Sequence, residues 1–524
     1  MKSKILVLET VLILISLMAL ISCTVKIDEP ATNQAEIYFA SPNEGNLVDG
    51  IVMLSAEIME QNSIRQVEFY IDGDSLATDI EAPYEVDWNT ETAENDIHTL
   101  ECRAILENSE EILADTIFVT VRNLLFTANY TNGCLPDDMV GYIFISDLEG
   151  NILGEAGWIG NTTVEVEHSP LSGIIPERIT VTLVNDFSFF DTFFDIPKGS
   201  NWTFEGGNPG YESHQVEFNF QNIPEHNGYL FSNLWSAHGS NGALHGESEI
   251  FNFRVEPSNF YIKLNTQEFG EKYIWVYNIT ENNYDVDLSA LNFPDSTTIN
   301  LDYIPDSFHY TLSGYPVPGS HYTGSYYLDY GNLNDASSFT VKYPPGEFID
   351  YKTSIEVYDS EDTYNYWNLD TYGGIPDVIT RIGIDCNIIS QEPDNFQMQI
   401  TGTCDEVLSN WIEITGIDHY IYWRVYGPAN FDHYSLPTPP APVFENNPDL
   451  AVELFEIYAV RLSDYSPVES YDEVMQIKYE SSEIINNVVN SCHSRKMWLN
   501  RNESKRKGNS EEEEWMTGRR GIRE

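Results

Sequence analysis

The sequence predicts an all-β protein: tandem antiparallel β-sandwich modules followed by a disordered C-terminal tail. Three observations predict it. Apolar and polar residues alternate with a period of two, in short bursts separated by turn residues. Aromatic residues make up 13 % of the 524 residues, with 32 Tyr and 26 Phe, while charged residues reach only 21 %, a composition that suits strands more than helices. The last 34 residues, Ser491 to Glu524, break the pattern: they hold nine of the 26 Lys and Arg against six acids and have few apolar residues.

In chain order, Lys2 and Lys4 precede an apolar run from Ile5 to Ile21 that Glu9, Thr10 and Ser16 interrupt, which is the layout of an export signal over residues 1–22. The run is short for a membrane-spanning helix and ends in Leu20-Ile21-Ser22-Cys23. Those four residues resemble the lipobox of bacterial lipoproteins. The resemblance implies that Cys23 receives a diacylglycerol thioether and becomes the mature N-terminus, so that lipid and not protein holds the chain in a membrane. The other reading is an ordinary cleaved signal in which Cys23 is incidental. Thr24, where an Asp would retain the protein at the inner membrane, resembles the pattern of lipoproteins sent to the outer membrane. The expected place is the cell envelope, at the outer membrane or cell surface, with residues 23–34 as a polar tether.

The remainder is long enough for three to five modules of about 100 to 150 residues. In residues 35–122, Val52, Leu54, Ala56 and Ile58 form one inward row and Val67, Phe69 and Ile71 a second. Leu100, Cys102, Ala104 and then Ile117, Val119, Val121 supply two more, which predicts a sandwich. Val67-Glu68-Phe69-Tyr70-Ile71-Asp72-Gly73, Ala82-Pro83-Tyr84, Trp88 and His98-Thr99-Leu100 stand in the order of a bacterial Ig-like domain, which this segment resembles. The resemblance implies a module that spaces and displays other parts on a secreted or surface protein. The Gly usual before His-Thr-Leu is Ile97 here. Asp72-Gly73-Asp74 lacks the spacing of a calcium loop and reads as a hairpin turn.

Beyond Asn123 the pattern divides into β-rich modules at 123–256, 257–345 and 346–490. The strand Tyr142–Asp147, the turn Leu148-Glu149-Gly150-Asn151 and the strand Ile152-Leu153 read as a hairpin. Tyr273–Asn278 echoes the Tyr142 strand at an offset of 131, and Pro318-Gly319-Ser320 echoes Pro197-Lys198-Gly199-Ser200 at an offset of 120. This suggests two divergent copies of one module. Near the end, Val474, Ile477, Ile484, Ile485 and Val488 fit one helix face.

The formal charge of −57 would repel nucleic acid and anionic lipid, which excludes both as partners of the body. Beside Cys23 stand Cys102, Cys134, Cys386, Cys404 and Cys492, an odd number that argues against a full disulfide framework. Folding Arg381–Thr401 about Asn395 sets Cys386 opposite Cys404, as a disulfide or as two free thiols.

Catalytic motifs are absent: there is no His-Glu-x-x-His, no Gly-x-Ser-x-Gly, no phosphate loop and no dinucleotide fingerprint. No cofactor is indicated. The best metal candidate is His238, His245 and Glu247 in a Gly-rich loop, where two imidazoles and a carboxylate would suffice for an open site. Tyr303, Tyr310, Tyr315, Tyr322, Tyr326, Tyr327 and Tyr330, with Trp202 and Trp235, offer flat faces for sugar rings, although Tyr is equally at home half-buried in a strand. Two functions remain open. The first is a non-enzymatic, lipid-anchored surface protein displaying β-sandwiches for adhesion or for binding a glycan or an extracellular protein. The second is an exported hydrolase or metal-dependent enzyme built on the His238 loop.

Overall fold

A computed structural model describes residues 36–499 except 60–63, 132–135, 171–173, 205–213, 235, 241, 243, 245, 254–257, 317–323, 359–365, 382, 415–419, 431–432, 449 and 482–484. Cys23, Cys134, His245, Trp235 and Tyr322 lie outside the described residues. Among the described residues no helix is long and apolar enough to cross a membrane. Strands dominate, as the alternation requires, and the chain divides into two compact units between Arg122 and Asn123.

The first unit contains β1 (Glu36–Ser41), β2 (Leu47–Val48), β3 (Ile51–Met59), β4 (Ile64–Ile71), β5 (Asp74–Asp79), β6 (Tyr84–Asn89), β7 (Ile97–Leu106), β8 (Glu111–Leu113) and β9 (Ile117–Val121). One sheet is ordered β1-β3-β6 and the other β2-β9-β7-β4-β5. The inward rows close on one another: Leu54, Val67, Phe69, Leu100, Cys102, Ala104, Val119 and Trp88 are buried in a single core. Asp72 and Gly73 both take positive φ, 52° and 84°, which a two-residue hairpin turn between β4 and β5 requires. The Asp72 carboxylate is engaged at home, accepting from the Thr99 amide at 2.8 Å and lying 2.6 Å from His98 Nδ1.

The second unit repeats one plan. Its first module holds β10 (Leu124–Tyr130), β11 (Val140–Ser146), β12 (Ile152–Ile159), β13 (Thr163–Glu167), β14 (Arg178–Asn185), β15 (Phe189–Pro197) and β16 (Ser200–Phe204). Strands pair as β13-β10-β16 and β12-β11-β14-β15, with β16 parallel to β10. The same order returns in β17 (His214–Gln221), β18 (His226–Ser232), β19 (Ala237–Ser240), β20 (Ser248–Phe253), β21 (Ser258–Thr266), β22 (Gly270–Ile279) and β23 (Asn283–Asp287). It returns again in β24 (Asp295–Leu301), β25 (Ser307–Tyr315), β26 (Tyr326–Asn334), β27 (Ser338–Tyr343), β28 (Asp350–Tyr358), β29 (Tyr366–Gly373) and β30 (Val378–Ile379). A final module has β31 (Asp385–Glu392), β32 (Asn395–Thr401), β33 (Glu406–Ile414), β34 (Tyr420–Gly427), β35 (His433–Tyr434), β36 (Glu456–Ser466) and β37 (Ser491–Trp498). There the strand beside β32 comes before it and runs antiparallel, as β1 does beside β3.

Pairing therefore divides the chain elsewhere than at 256 and 345. The strand order recurs, but the echo joined unlike strands: Tyr142 lies in the second strand of its module, whereas Tyr273 lies in the sixth of the next. Short runs of Tyr, Ile and Val resemble one another wherever a strand is buried, so sequence likeness alone set the register wrongly. Residues 318–320, half of the second echo, lie outside the described residues.

Three of the four-stranded layers join edge to edge in one 12-stranded sheet, ordered β12-β11-β14-β15-β34-β33-β36-β37-β29-β28-β25-β26. The joints are the parallel pair β15–β34 and the antiparallel pair β37–β29. This removes four sheet edges that would otherwise expose unpaired backbone. The middle of the sheet is buried on both faces. Phe126 and Trp202 of the β13-β10-β16 layer pack on Ile143, Val181 and Phe193, while Phe396 and Met398 of β32 pack on Phe144, Val184 and Phe194 from the other side. Double burial leaves β14 and β15 buried along nearly their whole length, including Thr180, Thr182, Asp191 and Thr192.

The tail expected from Ser491 does not begin there. Ser491–Trp498 is β37, paired on both sides by β36 and β29. Its Arg, Lys and His residues suggested a solvated segment, but Lys496 and Ser494 are buried. Before it, the predicted helical face forms in pieces: helix Tyr471–Met475, one π-turn Gln476–Glu480 and helix Ile485–Val488, with Val474, Ile477 and Ile485 in the core. Arg178 of β14 fixes that segment by donating to both carboxylate oxygens of Asp472, at 2.9 and 2.6 Å.

Candidate functional site

The parallel joint between β15 and β34 places Phe189, Asp191 and Phe193 directly beside Tyr422, Arg424 and Tyr426. Alternation sends all six side chains to one face. Their burial then falls in steps along the strands. Phe193 and Tyr426 stack at 4.6 Å with 8° between their planes, and Trp202 caps Phe193 edge-on at 4.9 Å. One step outward, Arg424 donates from Nε and Nη2 to the two oxygens of Asp191 at 2.6 and 2.7 Å, a bidentate pair. Burial opposes the Arg424 charge, but the Asp191 carboxylate outweighs it and holds the guanidinium far above its ordinary range. A further step out, Phe189 and Tyr422 stack at 5.7 Å with 7° between planes, and Tyr420 stands 6.2 Å from Tyr422.

Asn185 of β14 completes the arrangement. It lies across from Phe189 in register, is only 6 % exposed, and its buried Oδ1 has no hydrogen-bond partner among the described residues. The small layer above ends at Tyr130 and Phe204, stacked at 4.9 Å, with Tyr479 of the π-turn 5.6 Å from Phe204. These rings wall a recess whose floor holds Asn185, Asp191 and Arg424, and which at its deepest has room for a group about the size of one water molecule. Aromatic walls with a few convergent polar groups make a binding site for a small polar group carried on an apolar face.

Sequence reading missed these residues, though it held a signal. Asp191 stands inside Phe189–Phe194 and Arg424 inside Tyr420–Tyr426, each a lone charge in an apolar run. A charge in a doubly buried strand must find its opposite.

Of the candidates named from sequence, Trp202 caps the inner end of this arrangement and the others described lie elsewhere. His238 is exposed on β19, its Nε2 3.2 Å from Tyr229 Oη, and Glu247 is exposed as well. Among the described residues no three His, Cys, Asp or Glu side chains gather as a metal would need. The aromatic strip is largely interior: Trp202, Tyr315 and Tyr326 are buried, and Tyr303, Tyr310, Tyr327 and Tyr330 pack half-buried against the core of the β24–β30 module. Cys386 and Cys404 are free thiols. The hairpin turns at Pro393-Asp394 and shifts register between Ile388 and Ser390, so Cys386 faces Ile400 and its sulfur meets that of Met497 at 3.9 Å. Burial pushes the Cys386 thiol up to about 11.

Compared with known proteins, residues 36–101 match the model of a bacterial Ig domain, so the N-terminal unit is Ig-like. No curated protein matches the chain. Among solved structures, fibronectin(III)-like modules of Clostridium thermocellum CbhA align at 23 % identity over 16 % of this chain and 93 % of theirs, with a TM-score of 0.15. SGBP-B of the Bacteroides ovatus mixed-linkage glucan utilization locus, solved with a mixed-linkage heptasaccharide, aligns at 8 % identity over 60 % of this chain and 93 % of its own, with a TM-score of 0.16. An endo-β-1,4-mannanase from Thermotoga petrophila aligns at 13 % identity over 18 % and 20 %, with a TM-score of 0.16.

Proposed function

We propose that this chain is a lipid-anchored surface protein that binds a glycan in the recess beside the β15–β34 joint. The Ig-like unit, first in the chain after the anchor, serves as a spacer, and the fused sandwiches that follow it in sequence present the site. One observation supports the reading: Asn185, whose buried Oδ1 has no hydrogen-bond partner among the described residues, lines a recess shared with the Asp191–Arg424 pair and walled by aromatic rings. An acceptor left without a partner costs about 1 to 3 kcal/mol, which a ligand donor would recover. Sugars combine what the walls and floor ask for, an apolar ring face and hydroxyl groups that donate and accept.

The test uses the soluble body from Thr24 onward on a glycan array and in affinity gels, beside the variant Tyr422→Ala. The wild-type body should bind a subset of glycans, and the variant should lose about tenfold in affinity, equivalent to about 1.4 kcal/mol. Equal binding by both would remove the recess from the reading, and no glycan binding would remove the reading itself. The anchor is tested separately: Cys23→Ser should shift the full chain from the detergent phase to the aqueous phase, and a variant that stays with detergent would show that lipid is not what holds it.

A further inference from the structure

Resting on the glycan reading, we infer that the recess selects hexose residues by their exocyclic hydroxymethyl group and rejects pentoses and uronates. The floor has room for a hydroxyl-sized group and not for a ring, so the ring must stay at the rim and send a substituent inward. Outward of the recess on the same sheet face, Phe189, Tyr422 and Tyr420 supply the flat surface. Inside, Asn185 Oδ1 is an acceptor that lacks a donor, and it lies one strand from Asp191, whose carboxylate is turned to Arg424. Of these floor groups the Asp191–Arg424 pair is satisfied within itself and Asn185 is not, so the group that best matches the recess is one that donates to Asn185. A substituent on an exocyclic carbon reaches furthest from the ring, and a primary hydroxyl there both reaches and donates.

The two excluded classes fail for different reasons. A pentopyranose carries hydrogen where the hydroxymethyl would be, so Asn185 stays unpartnered after the rim has closed over it. A uronate carries a carboxylate, which at neutral pH has no proton to donate to the Asn185 oxygen, and the Arg424 guanidinium that would attract it is already held by both oxygens of Asp191. The acidity of the chain, −57 overall, adds to that rejection.

The experiment compares methyl glycosides in matched series that differ only at this carbon: glucoside, xyloside and glucuronide; galactoside, arabinopyranoside and galacturonide; mannoside, lyxoside and mannuronide. Binding to the soluble body is read by ligand-observed saturation-transfer titration. In at least one series the hexoside should bind about tenfold or more tightly than both partners. Asn185→Ala should bring hexoside and pentoside within about twofold of each other, with the thermal midpoint measured alongside to show that the variant is folded. The wild-type comparison stands even if the variant does not fold. In every series whose hexoside binds, a pentoside or uronide bound as tightly as that hexoside, or a preference that survives in folded Asn185→Ala, overturns the inference; if glycans on the array still bind, the broader reading survives it. Absence of any hexoside binding overturns it too, and a blank array then takes the glycan reading with it.

Discussion

Arg495 of β37 stacks its guanidinium 4.6 Å from the ring centre of Trp367 on β29, which joins the last module to the one before it. The same guanidinium reaches Asp385 at 2.5 Å, so one side chain ties three strands. Arg381 approaches Trp367 as well, at 4.8 Å.

The chain should therefore tolerate loss of its end only up to a sharp limit. Ending it at Asn490 deletes β37 and leaves β36 and β29 without a shared partner, and the thermal midpoint should fall by more than ten degrees or the protein should aggregate. Ending it at Asn500 should change the midpoint by no more than about two degrees, because β31 already fills the third place beside β32 and no strand remains to be supplied. Scanning calorimetry of the two truncations decides this. Equal midpoints would show that β37 does not hold the sheet.

Residues 36–122 should fold alone as a β-sandwich, since the core of Leu54, Val67, Phe69, Leu100 and Trp88 is complete within the unit. Phe69 is fully buried, and Phe69→Ala should cost about 3 to 5 kcal/mol in chemical denaturation. A cost below about 1 kcal/mol would mean that the ring is not a core residue.

The His98–Asp72 pair should make that unit most stable in mildly acidic solution. For His98, burial works against the charge, but the Glu94 carbonyl and the Asp72 carboxylate outweigh it, so its folded value stands above the ordinary 6.5. Its contribution is full below 6.5 and is lost as pH rises through the folded value. Asp72 is held below 3.8, since the Thr99 amide and His98 together overcome its burial, and its contribution is lost only as pH falls through that lowered value. Between about 4 and 6.5 both contributions are present. The midpoint should decline from pH 6 to pH 8, and His98→Gln should flatten that limb. A variant with the same slope would assign the decline to other groups.

Cys386 and Cys404 should each be alkylated in denaturant without reductant, as peptide mass mapping will show. A linked peptide containing both would contradict the register that sets Cys386 against Ile400.

Much of the fold was legible because the relevant physics is local. In the first unit each strand has one dry face, so Val67, Phe69, Leu100 and Cys102 announce their direction by alternation alone. Asp72-Gly73 likewise carries its turn in its own backbone preferences. The site was not legible for the opposite reason. Asp191 and Arg424 acquire meaning only when two strands 233 residues apart lie side by side, and nothing within either strand states the register. β37 was misread on composition, since Arg495 is held by Asp385 and Trp367 on other strands and Lys496 is buried with its ammonium over Trp498 of β37 itself. Tyr315 and Tyr326 show the limit of residue type: the same ring serves a core or a binding face, and burial settles which.

The parallel β15–β34 joint also sets a timetable. Asp191 leaves the ribosome 233 residues ahead of Arg424, roughly 10 to 50 s of translation at about 5 to 20 residues per second. During that interval the nascent β15 has no neighbour on its outer edge, and Phe190 and Phe194 have no cover. The β17–β23 module, with its own closed core, can form while the earlier strands wait. This half-built sheet is a template for wrong strands, and a holdase acting on the emerging chain would find its target at Phe189–Pro197 until the C-terminal module arrives.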